Sequence, residues 1–292
     1  MTHLAIHEKK RAGRRRLWTW CATGLLVLLT GCSLTFAYRH ADWIILWELD
    51  HHFNLTSEQR HDLALRLTPL LARHRHEAIP EYETFLVQIR QRLERGLASQ
   101  DLDWAYATYD RLRADLFDRL VADGGVFLAS VDPRQVRTLE EALQKDNDKA
   151  ARLVQASTPE RLKQRAHATI DWLEDWTGSL SKDQEAQIRE WSVALPDTQQ
   201  VFLGYRQQRQ QELLALLHQP RTPERVAGEL RIILVDSDQH APQAYQEAVR
   251  QMRAAVKTMV LAIDQRLTAD QRHHAVTKLQ RFIDQLHDLQ AE

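Results

Sequence analysis

The apolar and polar positions of this chain favour helices, and no segment of strand length alternates between the two kinds of residue. Ala, Leu, Arg, Gln and Glu dominate, and all five are good helix formers. The best strand candidate, residues 232–235, closes a helix-like pattern that begins at Thr222. The pattern therefore predicts an all-α protein. Because the links between the long helices are short, we expect an elongated helical bundle or stacked antiparallel helical hairpins.

Glycine and proline mark the expected helix ends. Gly124-Gly125 and Gly178 predict breaks, and Pro69 predicts a kink or a split in its helix. A single body over residues 37–292 fits this pattern, and so do two closely packed halves, 37–156 and 157–292. The expected helices cover residues 37–53, 56–78, 80–96, 101–122, 132–155, 158–177, 181–193, 197–218, 222–235, 242–266 and 268–290.

Four segments have the pattern of a helix-capping box, in which Ser, Thr or Asp stands three residues before Gln. In such a box the cap side chain accepts a hydrogen bond from the backbone N–H of the Gln. The Gln side chain in turn accepts a hydrogen bond from the backbone N–H of the cap residue. The boxes are 76, 49 and 87 residues apart, so they do not form a solenoid repeat. They predict helix starts at Thr56 with Gln59, Asp132 with Gln135, Ser181 with Gln184, and Thr268 with Gln271.

The first 31 residues resemble a bacterial lipoprotein signal peptide. A basic segment, residues 9–16, precedes an apolar run that ends in Leu-Thr-Gly-Cys at positions 29–32. The resemblance implies cleavage after Gly31, acylation of Cys32 with palmitate among the chains, and a short tether at residues 32–36. Ser33 stands where inner-membrane lipoproteins carry Asp. This favours the inner leaflet of the outer membrane, facing the periplasm, over an inner-membrane anchor.

An uncleaved signal anchor is the alternative for the same segment. Residues 17–38 form a run of 22 residues without a charge, which is long enough to span a bilayer as a helix. Polar residues and glycines interrupt the run, and its strongly apolar part is short. In both cases the basic segment stays in the cytoplasm and the body is exported.

The charge of the body changes once residues 1–31 are removed. The whole chain has 39 Lys and Arg against 40 Asp and Glu, and the segment holds six of the basic and one of the acidic residues. The remaining 33 basic and 39 acidic residues give about −6, which disfavours nucleic acid as a partner. Cys21 lies within residues 1–31, which cleavage would remove, and the sulfur of Cys32 would be acylated. The mature body would therefore have no thiol for a disulfide or a thiolate metal site.

Two resemblances to known families follow from these motifs. The Leu-Thr/Ser-x-x-Gln boxes at positions 55, 180 and 267 are similar to the LTxxQ motif of periplasmic helical chaperones and stress sensors of the Spy and CpxP type. The order of the lipobox, the Trp43 segment, the first box and residues 176–184 resembles an uncharacterised family of proteobacterial lipoproteins, over about residues 20–220. That family implies a location and a helical fold but no activity.

Two aromatic clusters are the main candidate sites. Trp43 and Trp47 are four residues apart, beginning eleven residues after Cys32. They fit a membrane-interface element, but the segment is apolar nearly all round, which favours a buried helix. Trp172 and Trp176 have the same spacing, with Trp191 beyond the third box. A bundle core is favoured there over a ligand cleft or an active site.

Other patterns of catalysis or metal binding are missing from the sequence. The paired histidines at positions 51–52, 74/76 and 273–274 lack the spacing that puts two ligands on one helix face, so we predict surface histidines and no metal or cofactor. No nucleophile elbow or phosphate loop is present.

We expect a non-enzymatic scaffold or interaction module with an envelope-protein partner. A tethered LTxxQ-type chaperone is the first alternative, and a ligand-binding or enzymatic protein with a site near Trp172, Trp176 and Trp191 is the second.

Overall fold

The computed structural model describes residues 33–291, and this part of the chain contains helices and no strand. The predicted all-α class is confirmed. We number the helices in chain order. Their bounds are α1 Ser33–Arg39, α2 Ala41–Phe53, α3 Ser57–Glu77, α4 Ile79–Arg95, α5 Ser99–Ser130, α6 Pro133–Gln155, α7 Thr158–Thr177, α8 Lys182–Ala194, α9 Gln199–Leu217, α10 Pro223–Leu234, α11 Ser237–His240, α12 Gln243–Asp264 and α13 Ala269–Gln290.

Several helices differ from expectation, among them the expected helix 37–53, which is divided at His40, and α11, which was not expected. α1 begins at Ser33, so residues 33–36, which the sequence assigned to a tether, are helical. α3 continues through Pro69 without a split. α5 extends over 32 residues, or about 48 Å, far beyond its expected end at residue 122. The break at Gly178 is present, because α7 ends there with the glycine at a φ of +78°.

The predicted break at Gly124-Gly125 is wrong, and the packing of α10 against α5 gives the reason. A Cβ on Gly125 would lie 2.6 Å from the carbonyl oxygen of Pro223 and 2.9 Å from the Cβ of Ala227. Atoms that are not bonded do not approach so closely, so only glycine allows this helix contact. The glycine pair therefore serves helix packing and does not end the helix.

The main hydrophobic core lies between α2, α3, α5, α6, α9 and α10. Val136 of α6 and Val226 of α10 are among its most buried side chains. A second cluster joins α7, α8 and α12 around Ile188. Full burial of one such side chain contributes about 1.5–3 kcal/mol, so the first cluster is the main source of packing stability.

Helices from the two sides of residue 156 pack against each other. α4 packs along α13, and α5 packs along α10. A third cluster joins Ile79 of α4 to Leu286 and Leu289 of α13, and Leu34 and Tyr38 of α1 pack against it. The first and last described helices are therefore neighbours in the bundle.

Candidate functional site

All four capping boxes form in the structure. Thr56, Asp132, Ser181 and Thr268 each accept a hydrogen bond from the backbone N–H of the glutamine three residues later. The Oε1 of each glutamine accepts in turn from the backbone N–H of the cap residue. These donor–acceptor distances lie between 2.9 and 3.2 Å. Each box therefore satisfies two of the N–H groups that a helix start leaves unpaired.

The four boxes meet in two pairs through their glutamine side chains. Gln59 donates from Nε2 to Oε1 of Gln135 at 3.0 Å, and Gln135 returns the same bond at 2.6 Å. Gln184 and Gln271 exchange the equivalent bonds at 2.8 and 3.0 Å. The partners are 76 and 87 positions apart in the chain. Each pair therefore joins the starts of two helices that are distant in sequence, α3 with α6 and α8 with α13.

A second bond from each glutamine gives both pairs the same local two-fold arrangement. Each Nε2 also donates to the carbonyl oxygen two residues before the cap of the partner box. Both N–H groups of every amide are thereby used. The accepting carbonyls belong to Ser130 for Gln59, Asn54 for Gln135, Arg266 for Gln184 and Ser179 for Gln271, at distances of 2.9 to 3.4 Å. The boxes are structural joints, and single-box sequence patterns do not reveal which boxes pair.

Replacing one glutamine of a pair with glutamate separates capping from pairing. Glutamate is as good as glutamine at this position of a capping box, and its charge suits a helix start. It lacks the N–H groups that the partner box receives, so Gln271→Glu removes one of the two donors to Oε1 of Gln184 and the side-chain donor to the carbonyl of Ser179. We expect a loss of about 1–3 kcal/mol in the free energy of unfolding, measured by urea denaturation.

Two double variants of equal charge provide the control. Gln184→Glu with Gln271→Glu places two carboxylates in one pair, and we expect a loss larger than the sum of the single losses. Gln59→Glu with Gln184→Glu places one carboxylate in each pair, and the losses should add. Unchanged or raised stability in Gln271→Glu would show that the boxes act as caps alone.

An exposed row of aromatic side chains occupies one side of α1 and α2. Phe36, His40, Trp43, Trp47 and His51 are spaced by three or four residues and thus share one helix side. Trp43 is 63% exposed and Trp47 is 46% exposed. Ring centroids are 4.4 Å apart for Phe36 and His40, 6.5 Å for the two tryptophans and 6.2 Å for Trp47 and His51. We call these five residues the aromatic face.

The burial that the sequence favoured for Trp43 and Trp47 is wrong. Leu46, Leu49 and Phe53 pack into or against the main core from the other side of the same helix. Because a helix in this position has one side toward the core, the two tryptophans point away from it. The spacing from residue 36 to residue 51 is visible in the sequence. The assignment of this side to the exterior required the packed core.

Tyr38 fixes α1 to the body next to the aromatic face. Its hydroxyl lies 3.0 Å from Nδ1 of His74 and donates to the carbonyl of Leu71 at 3.2 Å. Burial raises the pKa of Tyr38 and of Tyr82, which also contacts the His74 ring. Burial, with the nearby charge of Arg119, lowers the pKa of His74. The cluster therefore holds α1 against α3.

An open cleft of about 530 Å³ lies between α4 and α5. Phe85 and Trp104 contact each other on its wall, with ring centroids 5.4 Å apart. Arg111 at the cleft is bound to Glu81 at 2.7 Å and to Asp115 at 3.1 Å. These carboxylates neutralise the guanidinium, so the cleft has a mixed polar and apolar lining with a charge-balanced edge. The other lining residues are Pro80, Thr84, Gln88 and Thr108.

The structure does not bring Trp172, Trp176 and Trp191 to one site. Trp172 is 52% exposed and contacts Trp176 at 5.9 Å between ring centroids. Trp176 packs on Phe282 of α13, whereas Trp191 packs against the second core cluster. The expected core position is therefore wrong for Trp172, because its side chain lies at the exposed surface of α7.

The histidines take both exposed and buried positions. Most of those in the body are exposed, but His52 is buried beside the main core, contrary to the predicted surface position. Its Nδ1 bonds to the carbonyl of Glu48 at 2.9 Å, so the ring is held within its own helix. Among residues 33–291, no group of three or more His, Cys, Asp or Glu side chains is arranged to hold a metal ion.

The predicted cleavage after Gly31 and the acylated Cys32 lie outside the described residues. None of the helices between residues 33 and 291 is both long enough and apolar enough to cross a membrane.

The chain belongs to a family of unknown function, DUF6279, whose model matches residues 51–246. The matched part contains the first three capping boxes and hence the complete first pair. The aromatic face up to Trp47 precedes it, and the fourth box follows it. No curated protein and no solved structure matches the chain significantly.

Proposed function

We propose that the protein is a lipid-anchored envelope protein, a non-enzymatic helical scaffold or interaction module that faces the periplasm. Cys32 carries the lipid, and Ser33 behind it directs the protein to the inner leaflet of the outer membrane. The observation that carries the proposal is the segment Leu-Thr-Gly-Cys at positions 29–32, directly after a basic and then an apolar segment. The resemblance to proteobacterial lipoproteins supports the same location.

The position of α1 supports the anchor. The helix begins at Ser33, one residue after Cys32, and Leu34 and Tyr38 fix it against α4 and α13. A lipid on Cys32 is therefore followed by packed structure and not by a long linker. Several acyl chains give a stable membrane attachment, because each buried methylene contributes about 0.8 kcal/mol. Such an anchor holds the body against the bilayer surface.

The titratable groups support a structural role for the body. Shifted pKa values often mark active sites in enzymes, but the carboxylates whose pKa is lowered here belong to helix caps and ion pairs. Burial would raise the pKa of Asp101, yet the backbone N–H of Ala98 and the guanidiniums of Arg95 and Arg92 outweigh it and lower the pKa. Asp132 has a lowered pKa because the N–H of Gln135, the second residue of its box, donates to it.

Substitution of the two cysteines tests the anchor. Cys32→Ser is expected to abolish palmitate labelling and cleavage, so that the full-length precursor accumulates. Cys21→Ser is the matched control, because that residue lies in the segment that cleavage removes, and the mature protein should remain labelled. The measurements are radiolabelled palmitate incorporation, the intact mass of the protein, and separation of inner and outer membranes on a density gradient.

Two results would contradict the proposal. If wild type and both variants all stay in the membrane at full length without palmitate, the segment is an uncleaved signal anchor. If Cys32→Ser is cleaved and labelled like wild type, the lipid is attached elsewhere.

The boxes favour a second candidate, a tethered chaperone of the LTxxQ type. All four box glutamines are engaged in the two pairs, so a client would have to bind another surface, such as the Phe85 and Trp104 wall of the cleft between α4 and α5. A chain starting at Ser33 should then suppress aggregation of an unfolded client at equimolar ratio. Trp104→Ala in the cleft wall should weaken the effect and Trp172→Ala should not. Absence of any suppression removes this candidate.

A further inference from the structure

We propose that the aromatic face of α1 and α2 lies in the headgroup region of the membrane that anchors the protein, so that the body is held in a fixed orientation on the bilayer. The proposal rests on the lipid anchor proposed above. It adds a second attachment and assigns a role to Phe36, Trp43 and Trp47 beyond that of the acylated cysteine.

The first argument is the place of the face in the chain. Cys32 stands four residues before Phe36, which is the same interval that separates Phe36 from His40, and Trp43 from Trp47. Backbone bonds continue from α1 into α2, with His40 N–H bound to the carbonyl of Phe36 and Ile44 N–H bound to that of His40. The face therefore begins four positions after the proposed acylated cysteine and extends over about 22 Å of nearly continuous helix.

The second argument is that one segment has two apolar sides. Leu34 and Tyr38 in α1, and Leu49 and Phe53 in α2, hold the inner side against the bundle. The outer side still carries Trp43, which is more exposed than any other tryptophan of the described residues. Core packing explains the inner side only. Clustered exposed apolar groups of this kind mark an interaction surface.

The third argument is the chemistry of the outer side. Tryptophan concentrates at the membrane–water boundary, because its large ring favours the lipid while its N–H remains hydrated. Phenylalanine supplies further apolar surface, and the exposed histidines have polar ring nitrogens suited to headgroups. A helix that lies along the membrane plane buries such a side by several ångströms.

A single introduced thiol tests the proposal, because acylation uses the only cysteine left in the mature body. The full chain, expressed with its own signal and carrying Ile44→Cys, is labelled with an environment-sensitive fluorophore. It is then reconstituted into vesicles of phosphatidylethanolamine and phosphatidylglycerol with brominated acyl chains. Val193→Cys on α8, which is 48% exposed, is the control position. We expect quenching by brominated lipid at position 44 to be at least about twice that at position 193.

Matched tryptophan variants identify the side chains responsible. In the Ile44→Cys protein, Trp43→Ala with Trp47→Ala should reduce the quenching to that of position 193. Trp172→Ala removes a similarly exposed tryptophan of α7 and should leave the quenching unchanged. Circular dichroism of each variant verifies that the helices are retained.

The outcomes separate this inference from the anchor. Acylated protein whose position 44 is quenched by aqueous iodide and not by brominated lipid overturns the inference and leaves the anchor intact. Protection from both quenchers overturns it as well, because a second copy or another protein then covers the face. Protein without acyl chains that is still quenched by brominated lipid supports the inference and overturns the anchor.

Discussion

Replacement of Asp264 with alanine is expected to lower the free energy of unfolding by about 3–5 kcal/mol, because it leaves a partly buried guanidinium without its counter-charge. Asp264 is only 5% exposed and ends α12. One carboxylate oxygen accepts from Arg272 of α13 at 2.6 Å, and the other accepts from the backbone N–H of Leu97 at 2.9 Å. Arg272 also donates to the carbonyl of Leu93 at 2.6 Å.

Asp264 therefore joins the end of α4 to the junction of α12 and α13, and its removal disturbs three helix ends at once. Asp110→Ala is the matched control. Asp110 forms two bonds of 2.7 Å with Arg253 across α5 and α12, but both side chains are about one-third exposed. Water compensates such an exposed pair, so we expect a loss of about 1 kcal/mol or less.

Urea unfolding followed by circular dichroism, on a chain that starts at Ser33, gives both values. Equal losses in the two variants would contradict the special role of Asp264. Asp264→Asn adds a further comparison, because it retains an acceptor for Leu97 and removes the charge. Its loss should lie between those of wild type and Asp264→Ala.

Gly125→Ala is expected to destabilise the protein by about 1–3 kcal/mol, because the added methyl group would overlap the backbone of α10. The nearest atoms are the carbonyl oxygen of Pro223 at 2.6 Å and the Cβ of Ala227 at 2.9 Å. Neither atom can move without shifting the helix itself. α5 and α10 would therefore separate, and the main core that both helices line would be loosened.

The other glycines of the same helix pair supply the controls. A Cβ on Gly228 of α10 has no neighbour within 4 Å, so Gly228→Ala should stabilise the protein by about 0.5–1 kcal/mol through helix propensity alone. A Cβ on Gly124 would meet only the end of the Leu230 side chain at 3.1 Å. Gly124→Ala should lie between the two. The same gain at Gly125 as at Gly228 would refute the close contact.

Local sequence was sufficient for the four helix starts with capping boxes and for the fold class. Each capping box is complete within four residues, and the cap and its glutamine need no distant partner to be recognised. Local sequence wrongly predicted a helix break at Gly124-Gly125. The helix continues there because the glycines allow the close contact of α5 with α10. Local sequence also missed the pairing of the boxes, since Gln184 and Gln271 are 87 positions apart.

For the candidate sites too, the sequence predicted some features and only the packed structure showed others. The spacing of Trp43 and Trp47 is a property of the sequence, and so is the Leu-Thr-Gly-Cys segment before them. Whether those tryptophans are buried depends on which side of α2 the core takes, and Leu46, Leu49 and Phe53 take the other side. Trp172 and Trp191 are near each other in the sequence, which suggested one aromatic cluster. In the structure they pack on different parts of the bundle.

The sequence by itself determined the helical class, the capped helix starts and the thiol-free body, because propensity, capping and residue counts depend on neighbouring positions or on none. Only the tertiary structure decided that the four boxes form two joints, that Asp264 connects three helix ends, and that an aromatic face follows Cys32 on the exterior. These features arise from contacts between residues far apart in the chain, and such contacts are fixed only when the core packs.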